Sequence, residues 1–295
     1  GKELLKKVER MARTAFDNDV DESVRNKYAD FFWYLWCGPE SPLFGKAKMA
    51  CYVHDVIWEY YEKLSKKGEN PFPWYENIYF KALGKRALRK ADLVLTSTQF
   101  NKTRFEAHYA QANSAVIGIG FDERACVSHS PSNKKDVLFF ASTFPHKLTE
   151  LAVSRMNAWL EQRPDRANIK IHVLGKVPTH VTPQGDNWIL KGRISPQELT
   201  ELMAEQCCIS VYFSDYEGFG MPPVESLRAG LACIASDIPP IRENIPAQYL
   251  FNNADEADFI AKANAAYDKK HPFICPEFPT WQEVCNRCVQ AMLQH

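Results

Sequence analysis

The sequence predicts an α/β protein built on a doubly wound parallel sheet, and three observations carry that prediction. From Val137 onward, short apolar runs rich in β-branched and aromatic residues alternate with helix-length segments, the order in which βα units are written. The segment SDYEGFGMPPVES, residues 214 to 226, follows the apolar run CCISVYF and leads into the helix-like VESLRAG. It therefore sits at a strand-to-helix crossover. Finally, 295 residues, 45% of them hydrophobic, are enough for two domains with separate cores.

Taken in chain order, residues 1 to 50 offer a charged helix-like start, an acidic patch and the aromatic run FFWYLW. ACYVHDVIW, ADLVLTSTQF and SAVIGIG read as strands, separated by the polar and aromatic stretch from Lys63 to Tyr75 and the helix-like ENIYFKALGKRALRKA. SHSPSNKKD, residues 128 to 136, sets Ser, Pro, Asn and charge between apolar runs and reads as a linker. It divides the chain into residues 1–131 and 132–295. Beyond it come the strand VLFFA, the helix TELAVSRMNAWLEQR, the strands IKIHVLG and WILKG, the helix PQELTELMAEQ, the strand CCISVYF, the helix VESLRAG and the strand LACIAS. Ser195 with Glu198 three residues on, and Pro196 between them, predicts a capping box. Gly230 predicts a glycine stop after VESLRA.

Composition narrows the function classes. The 36 basic residues balance 36 acidic ones, so nucleic acid is not the expected partner, because phosphate neutralisation by Lys and Arg supplies most of such affinity. No apolar run approaches the length of a membrane span, and GKELLKKVER lacks the apolar core of a signal peptide; a cytoplasmic protein is expected. Nine cysteines, an odd number placed mostly in apolar runs, suit reduced buried thiols. Cys285 and Cys288 form one C-x-x-C with no second pair, which reads as a helix facing the core better than as a zinc site. Asp17 and Asp19 flank Asn18 in a D-x-D, but in a charged segment and not at the end of an apolar strand. No metal is expected from them.

In open α/β sheets the ligand crevice lies beyond the carboxyl ends of the strands, where helix amino termini carry partial positive charge. Gly218 and Gly220 let backbone N–H groups approach a ligand closely, and Pro222 and Pro223 fit a helix start. Glu217 and Glu225, flanking seven residues, are unspecific as a bare pair.

The whole string EGFGMPPVES, followed by LRAGLACIASD, closely resembles the E-x7-E signature of retaining family-four glycosyltransferases with the GT-B fold, nearest to mannosyltransferase-type members. The resemblance runs from about Val137 to the C-terminus, with weaker echoes from Cys51. It implies two Rossmann-like domains facing a crevice. The N-terminal, acceptor-side domain looks shortened, since no opening strand with a Gly-rich loop is present, and a partner chain or further segment would complete it. The last helix, near Trp281, would pack back on that domain.

The resemblance also implies chemistry. A sugar would pass from a nucleoside diphosphate sugar, GDP-mannose or a UDP-sugar, to a saccharide or lipid-linked saccharide, with retention and without cofactor or metal. Lys147, in the loop STFPHK after VLFFA, would meet the diphosphate. Ser142 and Thr143 stand where family members often carry an arginine about five residues before the lysine; Arg193 could supply charge instead, a solvated surface arginine being the plainer reading. Glu217 would bond the donor sugar's hydroxyls and Glu225 the ribose hydroxyls, since carboxylates accept two donors at once. The plainer reading of Glu225 is a helix-start carboxylate. Gly218, Phe219, Gly220 and Met221 would line the donor with backbone N–H groups. His54, beside Asp55, would approach the transferred sugar, making His54, Lys147 and Glu217 the catalytic set. Ser97 and Gln99 are acceptor-side candidates, with helix capping by Ser97 or Thr98 the simpler account.

Two other classes stay open. A non-catalytic sugar-nucleotide-binding or partner subunit is suggested by the short N-terminal part and the absent arginine. An epimerase or phosphorylase lacks an identifiable acid/base set or cofactor lysine. The aromatics from Phe31 to Trp36, with Trp58, Tyr60, Tyr61, Phe72, Trp74 and Tyr75, read first as core. A carbohydrate surface or peripheral membrane contact is the alternative.

Overall fold

The computed structural model describes residues 34–36, 49–65, 88–109, 113–122, 134–183 and 185–295. The D-x-D at Asp17 and Asp19, most of the linker, and Phe72, Trp74 and Tyr75 lie outside the described residues. Two compact units are present, residues 1–123 together with 277–295, and residues 124–276. The chain thus leaves the first unit once and re-enters it at its end.

The first unit holds a parallel sheet with strands in the order β1 (Tyr34–Trp36), β2 (Met49–Tyr52), β3 (Leu93–Thr96) and β4 (Ser114–Val116). Successive side chains alternate across a strand, and the two faces sort accordingly. Met49, Cys51 and Val94 pack with Phe105 and Tyr109, whereas Ala50, Leu93 and Leu95 pack with Val284, Cys288 and Ala291 of the C-terminal helix Trp281–Gln294. Cys285 and Cys288 are fully buried there. That helix starts on a capping box between Thr280 and Glu283, and Phe121 bridges to Thr280 just before it.

One strand reading needs correction. The strand within ACYVHDVIW stops at Tyr52, and Ile57 and Trp58 belong to helix α1 (Ile57–Ser65). Asp55 is the reason, because its Oδ1 accepts the backbone N–H of Ile57 at 3.0 Å and satisfies a helix-start donor. Helix α2 (Gln99–Tyr109) begins the same way, with the Asn101 N–H donating to Thr98 Oγ1 at 3.3 Å.

The second unit contains β5 (Asp136–Ala141), α3 (Thr149–Glu161), β6 (Ile171–Gly175), β7 (Trp188–Gly192), α4 (Pro196–Glu205), β8 (Cys207–Tyr212), α5 (Met221–Arg228), β9 (Ala232–Ser236), α6 (Pro239–Arg242), β10 (Leu250–Phe251) and α7 (Glu256–Tyr267). Its strands are all parallel, in the order β10-β9-β8-β5-β6-β7. From β5 the chain winds outward to β7, returns to place β8 against the other side of β5, and winds the opposite way to β10. The direction therefore reverses between β5 and β8. Apolar side chains fill both faces: Leu138, Leu174, Leu202, Met203, Cys207 and Leu231 form one cluster. Phe213, Phe251 and Phe259 pack against one another with tilted or edge-on rings, centroids 4.6 to 5.1 Å apart.

Local signals explain the ends of these helices. The Ser195 and Glu198 capping box forms as the sequence predicts. Gly230 follows α5 at φ 78°, the left-handed stop that glycine adopts without steric cost. Among the described residues, no helix is long and apolar enough to cross a membrane.

Candidate functional site

Lys147 and Glu217 meet at the carboxyl ends of β5 and β8, the neighbouring strands between which the winding reverses. Lys147 ends the short 3-10 turn Pro145–Lys147, and Leu148 then takes a left-handed φ of 47° at the start of α3. A non-glycine residue in that region is strained, and the loop around it is closed by side chains. Thr149 Oγ1 donates to the Ser142 carbonyl at 2.6 Å and accepts the Ser142 N–H at 3.0 Å. Ser142 Oγ accepts the Phe144 N–H at 3.2 Å. Ser142 thus shapes the loop with both its backbone and its side chain, while Thr143 stands exposed at the turn.

Three polar atoms form a triangle at this place. Lys147 Nζ donates to Glu217 Oε1 at 2.5 Å and to the Tyr212 hydroxyl at 2.6 Å, and that hydroxyl donates to the same Oε1 at 2.6 Å. Tyr212 ends β8 and is almost wholly buried. Burial, then the Glu217 charge, pushes its phenol well above the usual range, so it remains a protonated donor. The sequence reading missed Tyr212. Its only signal is its place as the last residue of a strand, five residues before Glu217, and that is indistinguishable from core aromatic packing.

A second network joins the two loops. The His146 carbonyl accepts the Asp215 N–H at 2.8 Å and the Ser214 hydroxyl at 3.1 Å. Ser214 N–H donates to Ser236 Oγ at 2.9 Å, which in turn donates to Asn253 Oδ1 at 2.6 Å. Asn253 Nδ2 closes the circuit on the Ser214 carbonyl at 3.1 Å. The crossover after β8 is thereby bolted to the ends of β9 and β10 through buried polar groups that satisfy one another. His146 itself is buried, and burial together with the adjacent Lys147 ammonium lowers it to about 4. At neutral pH it carries no charge.

Gly220 caps α5 at φ 90°, and a Cβ there would stand 3.1 Å from Ile241 Cγ1. Phe219 is buried, and its carbonyl accepts from Asn244 Nδ2 at 3.1 Å. Pro222 and Pro223 carry no N–H, so the helix start can present donors to a ligand only at Gly220 and Met221 before Val224, whose N–H turns back to the Gly220 carbonyl. Glu225 lies one turn further, exposed to solvent. The protein mass beside it nevertheless raises its pKa through desolvation, with the Arg228 guanidinium opposing.

The other candidates are placed elsewhere. Arg193 is exposed after β7, the edge strand of the sheet. His54 belongs to the first unit, in the loop after β2. Its carbonyl accepts from Asn101 Nδ2 at 2.6 Å, the Val53 carbonyl accepts from Thr96 Oγ1 at 2.9 Å, and its ring meets Tyr52 edge-on at 4.8 Å. Ser97 is buried, and Gln99 Nε2 donates to Thr103 within α2 at 3.4 Å. Trp58, half-buried, donates its indole N–H to Tyr109 at 3.1 Å, and Tyr61 is fully buried. Among the described residues no group of His, Cys, Asp and Glu is arranged to hold a metal.

Comparison with known proteins gives two family matches. Residues 122–272 match the family of glycosyl transferases group 1, and residues 1–98 match the Firmicute fructose-1,6-bisphosphatase family. None of the motifs described above points to the second match. The class 3 fructose-1,6-bisphosphatase of Clostridium botulinum is 40% identical over 77 residues, which are 26% of this chain and 11% of that protein. The chain thus spans about a tenth of the length of the curated relatives it matches. Among solved structures, a sucrose-phosphate synthase from Thermosynechococcus elongatus aligns with a TM-score of 0.60 and 15% identity, over 92% of this chain and 72% of the other. The pneumococcal O-GlcNAc transferase GtfA, solved with UDP and GlcNAc, aligns with a TM-score of 0.59 and 17% identity, over 84% of this chain and 53% of its own.

Proposed function

Because this chain belongs to the glycosyl transferases group 1 family, matched over just over half its length, and has the GT-B fold, we propose that it is a retaining glycosyltransferase using a nucleoside diphosphate sugar. The observation that carries the reading is the meeting of Lys147 and Glu217 at the reversal between β5 and β8. That is where doubly wound sheets bind ligands. UDP in the pneumococcal relative supports a nucleotide sugar as donor.

In this reading each group has a task set by its chemistry. The Lys147 ammonium neutralises charge that grows on the leaving diphosphate, where a fixed cation in a site shielded from water counts most. Backbone N–H groups at Gly220 and Met221 add to it. Glu217 accepts hydroxyls of the donor sugar and Glu225 those of the ribose. His54 keeps the catalytic role that the family resemblance implies, and the acceptor is a saccharide or lipid-linked saccharide. The leaving diphosphate helps to deprotonate the acceptor on the face it vacates, so no side-chain base is named. Positive charge comes from the protein without a divalent metal, and the reaction takes place in the cytoplasm.

The test is transfer from a panel of UDP-, GDP-, ADP- and dTDP-sugars to saccharide acceptors, with and without EDTA. Turnover that survives EDTA and falls about 10²-fold in Lys147→Ala is the expected result. Wild-type turnover in that variant would remove Lys147 from the mechanism.

A second reading, a sugar-nucleotide-binding module without transfer, is favoured by one observation. His54 lies within residues 1–98, which match a phosphatase family and not a glycosyltransferase. Nucleotide binding by calorimetry with no transfer across the donor panel would select it.

A further inference from the structure

We propose that Tyr212 is a positioning residue that clamps Lys147 and Glu217, leaving one ammonium N–H and one carboxylate oxygen directed at the donor. The inference rests on the roles given to Lys147 and Glu217 above and deepens them.

The argument is one of valence. A lysine ammonium has three N–H donors, and two are spent on Glu217 Oε1 and the Tyr212 hydroxyl. One remains for a phosphate oxygen. The Glu217 carboxylate has two oxygens, and both of these neighbours land on Oε1, so Oε2 is the one turned to sugar hydroxyls. A lysine on four rotatable bonds is a poor directional donor unless something fixes it. Here the fixing group is itself rigid: Tyr212 stands at the end of β8 in register with Ala235, fully buried, with Phe140 edge-on to its ring at 6.2 Å.

The hydroxyl also has the right two-sided character. It accepts from Lys147 and donates to Glu217, which neither a carboxylate nor a second ammonium could do. Its buried state keeps it protonated, so it remains a donor to Glu217 at neutral pH. Charge compensation between Lys147 and Glu217 alone would leave the pair free to rotate together; the third contact removes that freedom.

Tyr212→Phe tests this, since it keeps the ring and removes only the hydroxyl. The donor kcat/KM should fall about tenfold, the strength of a hydrogen bond to a charged group, with a melting temperature close to that of the wild type. Combined with Lys147→Ala it should add almost nothing, because Tyr212 acts through that lysine. Fully additive losses would overturn the clamp. A second measurement needs no turnover. In 15N-lysine spectra the Lys147 ammonium signal should be protected from exchange in the wild type and lose that protection in Tyr212→Phe. An unchanged signal in the variant would also overturn the proposal. A wild-type protein that transfers no sugar would sink only the functional reading, and the lysine spectrum would still decide the clamp.

Discussion

Ser214 reaches across from the end of β8 to hydrogen-bond the carbonyl of His146, 3.1 Å away, so the loop that carries Glu217 is anchored to the turn that carries Lys147. The Asp215 N–H takes the same carbonyl at 2.8 Å. Two segments separated by nearly seventy residues of chain therefore move as one, and the separation of their charged groups is held by neutral hydrogen bonds.

Ser214→Ala should loosen this coupling. It removes the one hydroxyl proton that the His146 carbonyl at 3.1 Å and the Tyr216 carbonyl at 2.9 Å share, so one buried acceptor loses its donor. A loss of about 1–3 kcal/mol is expected for such buried groups, read as a lower denaturant midpoint at unchanged m-value. Turnover should fall more than thermal stability alone accounts for. Unaltered kinetics in a folded variant would show that the coupling is structural only.

Gly175→Ala should be the most damaging small substitution near the site. Gly175 ends β6 at φ 88°, and a Cβ there would lie 2.2 Å from the Ala141 carbonyl oxygen. Since that neighbour is backbone paired in the sheet, strand β5 must shift just before the Ser142 loop. A cost of at least about 2–3 kcal/mol follows from combined strain and clash, measurable by thermal unfolding.

His146 predicts a pH dependence of stability whose sign is fixed. Its folded value of about 4 lies below the ordinary 6.5, so between those limits the unfolded chain binds the extra proton. Stability contributed by the neutral, buried ring is therefore present above the upper limit and lost as pH falls toward the lower one. The displacement corresponds to about 3 kcal/mol. His146→Gln should flatten that part of the denaturation profile; an identical slope in the variant would assign the acid sensitivity to other groups.

Glu225 bears on binding more than on folding. Desolvation raises its pKa, so its carboxylate is lost earlier on acidification than an ordinary glutamate. If it accepts the ribose hydroxyls, nucleotide affinity should weaken as pH drops from neutrality through that raised value. Glu225→Gln should bind nucleotide more weakly at neutral pH and lose the acid limb. Calorimetric titration of UDP and GDP across pH checks both, and an acid limb that persists in the variant would exclude Glu225 as its source.

The sequence by itself determined the elements of this protein wherever the signal was local. Apolar runs gave β5 to β9, the Ser195 and Glu198 pair gave the start of α4, and Gly230 gave the end of α5. Lys147 and Glu217 are singled out by the resemblance of EGFGMPPVES and of the STFPHK loop to the family signature, since neither residue stands out from local pattern alone. Local patterns misjudged the stretch after Tyr52, where a single Asp55 side chain turns strand into helix. Only the tertiary structure decided that β8 lies beside β5, which brings a lysine and a glutamate seventy positions apart into contact. The same placement makes Tyr212 and Ser214 part of the site, although in sequence they are an ordinary strand end and loop serine. Strand order is set by pairing and packing between distant segments, and no local period in the chain encodes it.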